Sequence, residues 1–243
     1  MHAAERILVA LDFPTILAAA TMMSQLRGTG VGSKVGLRIN VAAGTPAVLE
    51  TVGEGTFLDL KFKDIPKTVA DAVEAAARQG VKMMNVHCMG GFAMMKAAAE
   101  AAHKVSTLTG RRRSLIVGVT ILTSLDRTNL TDLGIASHLT MEEVVTQLAI
   151  MAKDAGLDGV VCSPKEIAAV RKACGPDFII VTPGIRGKND APDDQKRTLT
   201  AAEAIALGAT YLVIGRPITE SGDPKARTLE FIEEINNAMA VTA

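Results

Sequence analysis

FLDLKFKDIPKTVADAVEAAARQG, residues 57–80, is one complete strand–helix unit. FLDLKF follows a turn and has the length and apolar content of a buried strand, and TVADAVEAAARQG is an Ala-rich amphipathic stretch of helical character. Pro66 suits the first turn of that helix, and Gly80 stands just past it, where a left-handed C-cap belongs. One feature does not fit a buried strand: Asp59, Lys61, Lys63 and Asp64 place four alternating charges in and just after it.

The same unit recurs along the chain. ILVALD (7–12) is followed by TILAAATMMSQLRG, SKVGLRIN (33–40) by TPAVLETVG, and VKMMNVHC (81–88) by FAMMKAAAEAAHK. SLIVGVTIL (114–122) precedes a longer loop, TSLDRTNLTDLGIAS, and then MEEVVTQLAIMAKDAG. DGVVCS (158–163) leads to KEIAAVRKACG, FIIVTPGI (178–185) to AAEAIALGA after a polar insert, and YLVIGRPI (211–218) to KARTLEFIEEINNAMA. Continuous apolar runs of this length suit strands buried on both faces of a parallel sheet. Gly156, Gly175 and Gly208 repeat the C-terminal signal of Gly80. Eight such units in 243 residues, near the ~250 typical of the fold, point to an α/β chain folded as a single-domain (β/α)8 TIM barrel over 1–243. A doubly wound sheet is the rival. It loses ground because ALDFPTI at the first strand–helix turn has no G-x-G-x-x-G, and no phosphate-loop motif appears elsewhere.

Composition excludes several function classes. Net charge is zero and aromatics are 3% with no Trp, which argues against a nucleic-acid surface or base-stacking platform. The apolar runs are too short to span a bilayer, and MHAAERILVALD meets charged residues before any long apolar segment. Cys88, Cys162 and Cys174 form no CxxC pair and read as small buried hydrophobes in a reducing cytoplasm. A cytoplasmic location is therefore expected. Met22-Met23, Met83-Met84 and Met94-Met95 read as core filling. His2, His103 and His138 lack ligand spacing and read as surface, as does the run Arg111-Arg112-Arg113.

In such a barrel the reacting groups come from the carboxyl ends of the strands. Those ends are polar here: Asp12 on strand 1, Lys34 on strand 2, Asp59 and Lys61 on strand 3, Asn85 and His87 on strand 4, Thr123 and Ser124 after strand 5, Arg186 after strand 7, and Gly215-Arg216 after strand 8. Asp59 and Lys61 are two apart on a strand and so share a face. If Leu58 and Leu60 pack outward, both charges point into the barrel mouth, where buried ions need partners. Asp64 falls at the helix cap, with Thr68 four residues on along the same side. Lys63 and Lys67 read as solvated. A salt-bridged strand end with a helix cap would be the purely structural account; it leaves an Asp and a Lys aimed inward unexplained.

With these residues in view, D-L-K-F-K-D-I-P and the preceding Lys34 resemble the orotidine 5′-phosphate decarboxylase family. LDF, NVH then GG, VTILTS, TPGIR and IGRPIT extend the resemblance over nearly the whole chain, without departure at any position carried over. The resemblance implies decarboxylation of orotidine 5′-monophosphate at C6 to give UMP, with no metal and no cofactor. It implies that Lys61 stabilises the C6 carbanion and protonates it, that Asp59 lies beside the departing carboxylate and orients Lys61, and that Lys34 holds Asp59 and reaches the ribose. Asp64 and Thr68 would cross a homodimer interface to complete the neighbour's site. Asp12 would contact ribose, and Thr123 would read the pyrimidine amide edge. Arg186, Gln195, Gly215 and Arg216 would take the phosphate, with Gln195 on an insert that closes as a lid. His87 is expected to have a hydrogen-bonded structural role.

Two rivals remain. A magnesium-dependent sugar-phosphate decarboxylase or aldolase of the same superfamily shares D-x-K-x-x-D but carries a metal-binding acid where strand 2 offers Lys34. A nucleotide-binding protein without catalysis would not need the full Lys34, Asp59, Lys61, Asp64 set.

Overall fold

Each apolar run becomes a strand: β1 (Ile7–Ala10), β2 (Gly32–Val35), β3 (Phe57–Phe62), β4 (Met83–His87), β5 (Leu115–Val119), β6 (Gly159–Val161), β7 (Ile179–Pro183) and β8 (Tyr211–Ile214). The computed structural model describes residues 1–53, 55–132, 134–135, 138–187 and 198–242. All eight strands pair in parallel with their sequence neighbours, and β1 pairs β8, Leu8 opposite Val213, to close the barrel. The (β/α)8 TIM barrel expected from the sequence is the observed architecture. Closure leaves no exposed sheet edge, so every strand is held on both sides.

The helices that cover it are α1 (Ile16–Gln25), α2 (Leu37–Ala43), α3 (Thr45–Val52), α4 (Pro66–Arg78), α5 (Phe92–Thr109), α6 (Arg127–Asp132), α7 (Met141–Asp154), α8 (Ile167–Cys174), α9 (Ala201–Ala206), α10 (Arg216–Thr219) and α11 (Pro224–Thr242). Local chemistry sets their starts. Thr140 and Thr200 form capping boxes with Glu143 and Glu203, and Pro66 opens α4. Gly80, Gly156, Gly175 and Gly208 all have positive φ just beyond their helices, as the sequence suggested.

Two expectations change. SKVGLRIN is strand only to Val35, because Gly36 caps α2 and its carbonyl accepts from Asn40 Nδ2 at 2.8 Å. The alternation of Leu37, Arg38, Ile39 and Asn40 mimics a strand, but Ile39 and Asn40 are buried while Leu37 lies exposed on a helix surface. The loop after β5 contains α6, whose start Asp126 fixes by accepting from the Thr128 and Asn129 amides.

The core has two parts. Leu8, Phe57, Met83, Val117, Val181 and Tyr211 fill the barrel interior, and a larger shell lies between strands and helices. Met22, Met83, Met84, Met94 and Met95 are buried, as are all three free cysteines. Burial pushes the Cys88 thiol up to about 12 and raises that of Cys162 as well, so neither is a nucleophile at neutral pH. One surface expectation is corrected: Arg111 and Arg112 are exposed, but Arg113 is half-buried and forms a two-bond ion pair with Asp158.

Candidate active site

Leu58 and Leu60 pack outward into the shell under the helices, leaving Asp59 and Lys61 facing the barrel mouth. Plain strand alternation is not the whole reason. Leu58 pairs with Met84 and Phe62 with Val86, so β3 carries more residues than β4 between those pairs and the ladder slips. Lys61 sits in that irregularity at φ 54°, the one non-glycine positive φ among the described residues. Its amide donates to Asn85 Oδ1 at 2.7 Å instead of to a strand carbonyl.

The charges converge on one another. Lys61 Nζ donates to Asp59 Oδ1 at 2.6 Å, and Asn85 Nδ2 donates to the same oxygen at 2.6 Å. Lys34 Nζ lies 2.8 Å from Asp12 Oδ1 and 3.7 Å from Asp59 Oδ2. Lys34 is only 6% exposed, so its charge is tolerable only because two carboxylates face it. Gly36 keeps the corner open: a Cβ there would come within 3.0 Å of Asp12 Oδ1 and 3.4 Å of Lys34 Nζ.

Above this cluster lies a cavity of about 630 Å³, within the usual range for a small-molecule site. Asp12, Lys34, Asp59, Lys61, Thr123, Arg186, Gly215 and Arg216 all line it, so eight of the eleven sequence-expected site residues meet at one place. Phe57, Val119, Val161 and Val213 give it an apolar floor. Asp64 and Thr68 do not line it; both are exposed on the outside of the barrel. Asp64 is also not the cap residue: Ile65 is, and Asp64 Oδ1 accepts from the Ile65 amide at 2.7 Å. Gln195 lies outside the described residues.

Sequence reasoning missed two wall residues and one support. Arg38 and Glu220 line the cavity; Arg38 was hidden because its segment read as strand. Asn85 was visible as a polar strand end, but its bonds depend on the slip in β3, which no residue pattern announces. His87 is half-buried, and among the described residues its ring has no hydrogen-bond partner, contrary to expectation. Burial, then Lys63 and Lys61, lower its pKa against the opposing pull of Asp59, so it is neutral at pH 7.

A closed parallel barrel with its cavity and convergent charges at the carboxyl ends of the strands has the layout of a (β/α)8-barrel enzyme. Comparison with known proteins narrows the class. The model of the orotidine 5′-phosphate decarboxylase / HUMPS family matches residues 5–231, and the chain belongs to that family. It is 48% identical over 238 residues to the orotidine 5′-phosphate decarboxylase of Moorella thermoacetica, covering 97% of this chain and 94% of that one. The protein of that name from Nitrosococcus oceani is 45% identical over 234 residues, covering 96% and 98%. Among solved structures, orotidine 5′-phosphate decarboxylase from Lactobacillus acidophilus superposes with a TM-score of 0.83 at 34% identity, covering 96% of this chain and 99% of that chain. An uncharacterised conserved protein from Geobacillus kaustophilus superposes with a TM-score of 0.82 at 37% identity, covering 95% and 100%.

Proposed function

We propose that this chain decarboxylates orotidine 5′-monophosphate to UMP, with Lys61 as the group that stabilises and then protonates C6. The observation that carries the reading is the Lys61–Asp59–Lys34–Asp12 relay at the wall of a cavity that Arg186 and Arg216 also line. Breaking the C6–carboxylate bond releases CO₂ and leaves the electron pair on C6, in the ring plane and without conjugation to a sink. A fixed ammonium beside C6 supplies the missing stabilisation, and preorganised charge in a water-poor pocket is worth more than in water. The same Nζ then gives a proton to C6 and recovers one from solvent. Enzymes contribute ~8–23 kcal/mol of barrier lowering, and the carbanion is where this chain would have to spend it.

Asp59 bonds to Nζ and so aims it, and its charge faces the departing carboxylate. Lys34 holds Asp59 in place from the other side, and Asp12 ties Lys34 to the ribose end of the cavity. Thr123, which lines the cavity, would read the pyrimidine amide edge, as the resemblance implies. Arg186 and Arg216, with the backbone at Gly215, suit a phosphate dianion; Gln195 joins them by resemblance alone. The exposed positions of Asp64 and Thr68 fit residues that complete a second copy's site across a homodimer interface.

The magnesium-dependent reading meets a chemical obstacle. The strand 2 position holds a cation, Lys34, already bonded to Asp12 at 2.8 Å. Among the described residues no group of three or more His, Cys, Asp or Glu is placed to hold a metal ion. The test is loss of the orotate chromophore with purified protein in excess chelator, wild type beside Lys61→Ala. Turnover that survives chelation and collapses in the variant supports the proposal. Turnover only with magnesium restored, or only of a sugar phosphate, overturns it.

A further inference from the structure

Asn85 lies in the middle of β4, fully buried between Met84 and Val86, and it does not line the cavity. A buried amide is costly unless its groups are bonded. Both of its groups are bonded, and both bonds run to the reacting pair: Oδ1 accepts from the Lys61 amide at 2.7 Å and Nδ2 donates to Asp59 Oδ1 at 2.6 Å.

The geometry points to Asn85 as a positioning residue: we propose that its side-chain amide holds the left-handed turn at Lys61 and the rotation of the Asp59 carboxylate, so that ammonium and carboxylate stay in register for decarboxylation. The inference rests on the reading of Lys61 as proton donor. Three facts support it. Positive φ is disfavoured for a residue with a Cβ, and such a conformation persists only where the surroundings over-determine it. Oδ1 substitutes for the ladder bond lost where β3 slips past β4. β4 itself is a rigid support, paired regularly with β5 from Met83–Leu115 to His87–Val119. Only a primary amide of this length offers one acceptor and one donor together. A carboxylate would turn a second negative oxygen on Asp59, and an aliphatic side chain would leave both partners without their bond.

Because Asn85 does not line the cavity, its loss is expected to act on kcat rather than KM. Misplacement of a reacting group by about 1 Å costs on the order of 10²-fold. Asn85→Ala is expected to lower kcat by about that factor and to leave KM within about three-fold. Asn85→Asp separates positioning from mere stability. It keeps the acceptor for the Lys61 amide but places a carboxyl against Asp59, and two carboxylates in contact do not both ionise. Among the described residues, the ionisable groups nearest this point are Lys61 on β3 and Lys34 on β2, both paired with Asp59, and Asp12 after β1, paired with Lys34, with Lys63 and the neutral His87 further out. Activity of Asn85→Asp, relative to wild type at each pH, is therefore expected to rise about ten-fold from pH 8 to pH 5.5 as a shared proton restores the donor.

Kinetics at several pH values and melting curves are measured for wild type and both variants. A kcat loss with KM held, together with the acid recovery of Asn85→Asp, supports the proposal. A lowered melting temperature with kcat within two-fold, or losses in kcat and KM without pH dependence, overturns it. If Asn85→Ala does not fold, the Asn85→Asp profile decides. If wild type itself shows no decarboxylation, the functional reading has failed, and the positioning claim is judged on a crystal structure of Asn85→Ala. There Lys61 is expected to leave positive φ and lose its contact with Asp59; an unmoved Lys61 overturns the claim.

Discussion

The two ends of the barrel use the same ingredients for opposite purposes. At the amino end, Asp158 takes the Arg113 guanidinium on both oxygens and the Ile116 amide at 2.8 Å. Arg171 donates to the carbonyls of Gly175, Pro176, Phe178 and Gly208, tying the end of α8 to the starts of β7 and β8. These charges are absorbed by backbone and by each other, and none of Arg113, Asp158 and Arg171 lines the cavity at the other end. At the carboxyl end, Asp12, Lys34, Asp59 and Lys61 also pair, but they do so along the wall of a cavity of about 630 Å³. One set closes the structure; the other borders open space that a small molecule could fill. The difference lies in what surrounds the charges, since ion pairs are present at both ends.

The largest expected effect tests the carboxyl end. On the proposed role of Lys61, Lys61→Ala removes both the stabilising charge and the proton donor, so kcat is expected to fall by more than ~10⁴-fold in the chromophore assay. Stability should respond differently. At φ 54° an alanine keeps the backbone strain and a glycine relieves it, so Lys61→Gly is expected to be more stable than Lys61→Ala by about 1 kcal/mol in urea melts. Equal stability of the two would show that the turn at Lys61 carries no strain.

Asp158→Ala is the counterpart at the amino end. Side-chain exposures of 25% for Arg113 and 14% for Asp158 make this a mostly buried pair. Its loss, with that of the Ile116 bond, is expected to cost about 2–3 kcal/mol of stability while kcat/KM at 25 °C stays at the wild-type value. A variant that melts normally but has lost turnover would break the contrast between the two ends.

How much of this contrast could be read from residues alone differs between backbone and side chains. Strand β3 has the bounds the sequence suggested, Phe57–Phe62, because an apolar run, a turn before it and Pro66 after it all agree. The segment 33–40 misled because Leu37-Arg38-Ile39-Asn40 alternates like a strand, and the deciding signal was Gly36 rather than the period. Most of the polar strand ends do line the cavity, since a barrel gives them one place to converge, but Asn85, His87 and Ser124 do not. What the residues did not show is how Lys61 is held. A lysine at positive φ has no signature of its own, and Asn85 becomes its support only once β4 lies beside a slipped β3. Arg113 looked like part of a solvated run because its partner Asp158 is 45 positions away.

Arg216→Ala gives a middle-sized effect on the same side as Lys61. A charge-assisted bond to phosphate is worth about 1.5–3 kcal/mol, so kcat/KM is expected to fall roughly 10–100-fold. Stability should not change measurably, because Arg216 is exposed at the cavity rim. A stability loss comparable to that of Asp158→Ala would move Arg216 into the structural set.

The smallest effect concerns His87, which stands between the two kinds of charge. Burial, Lys63 and Lys61 lower its folded pKa below the ordinary value of 6.5. The unfolded chain therefore takes up a proton on His87 before the folded chain does, so this residue removes stability as pH falls below about 6.5, down to the folded pKa. Above that window both states are neutral at His87 and it contributes no pH dependence. His87→Gln is expected to flatten the stability profile just below about pH 6.5 relative to wild type. Its kcat at pH 7.5 should remain within a few-fold, since a neutral ring outside the cavity neither donates to nor accepts from the reacting groups. A large kcat loss with an unchanged stability profile would instead make His87 part of the charge relay, and the boundary between the reacting cluster and its scaffold would have to be redrawn two residues further along β4, from Asn85 to His87.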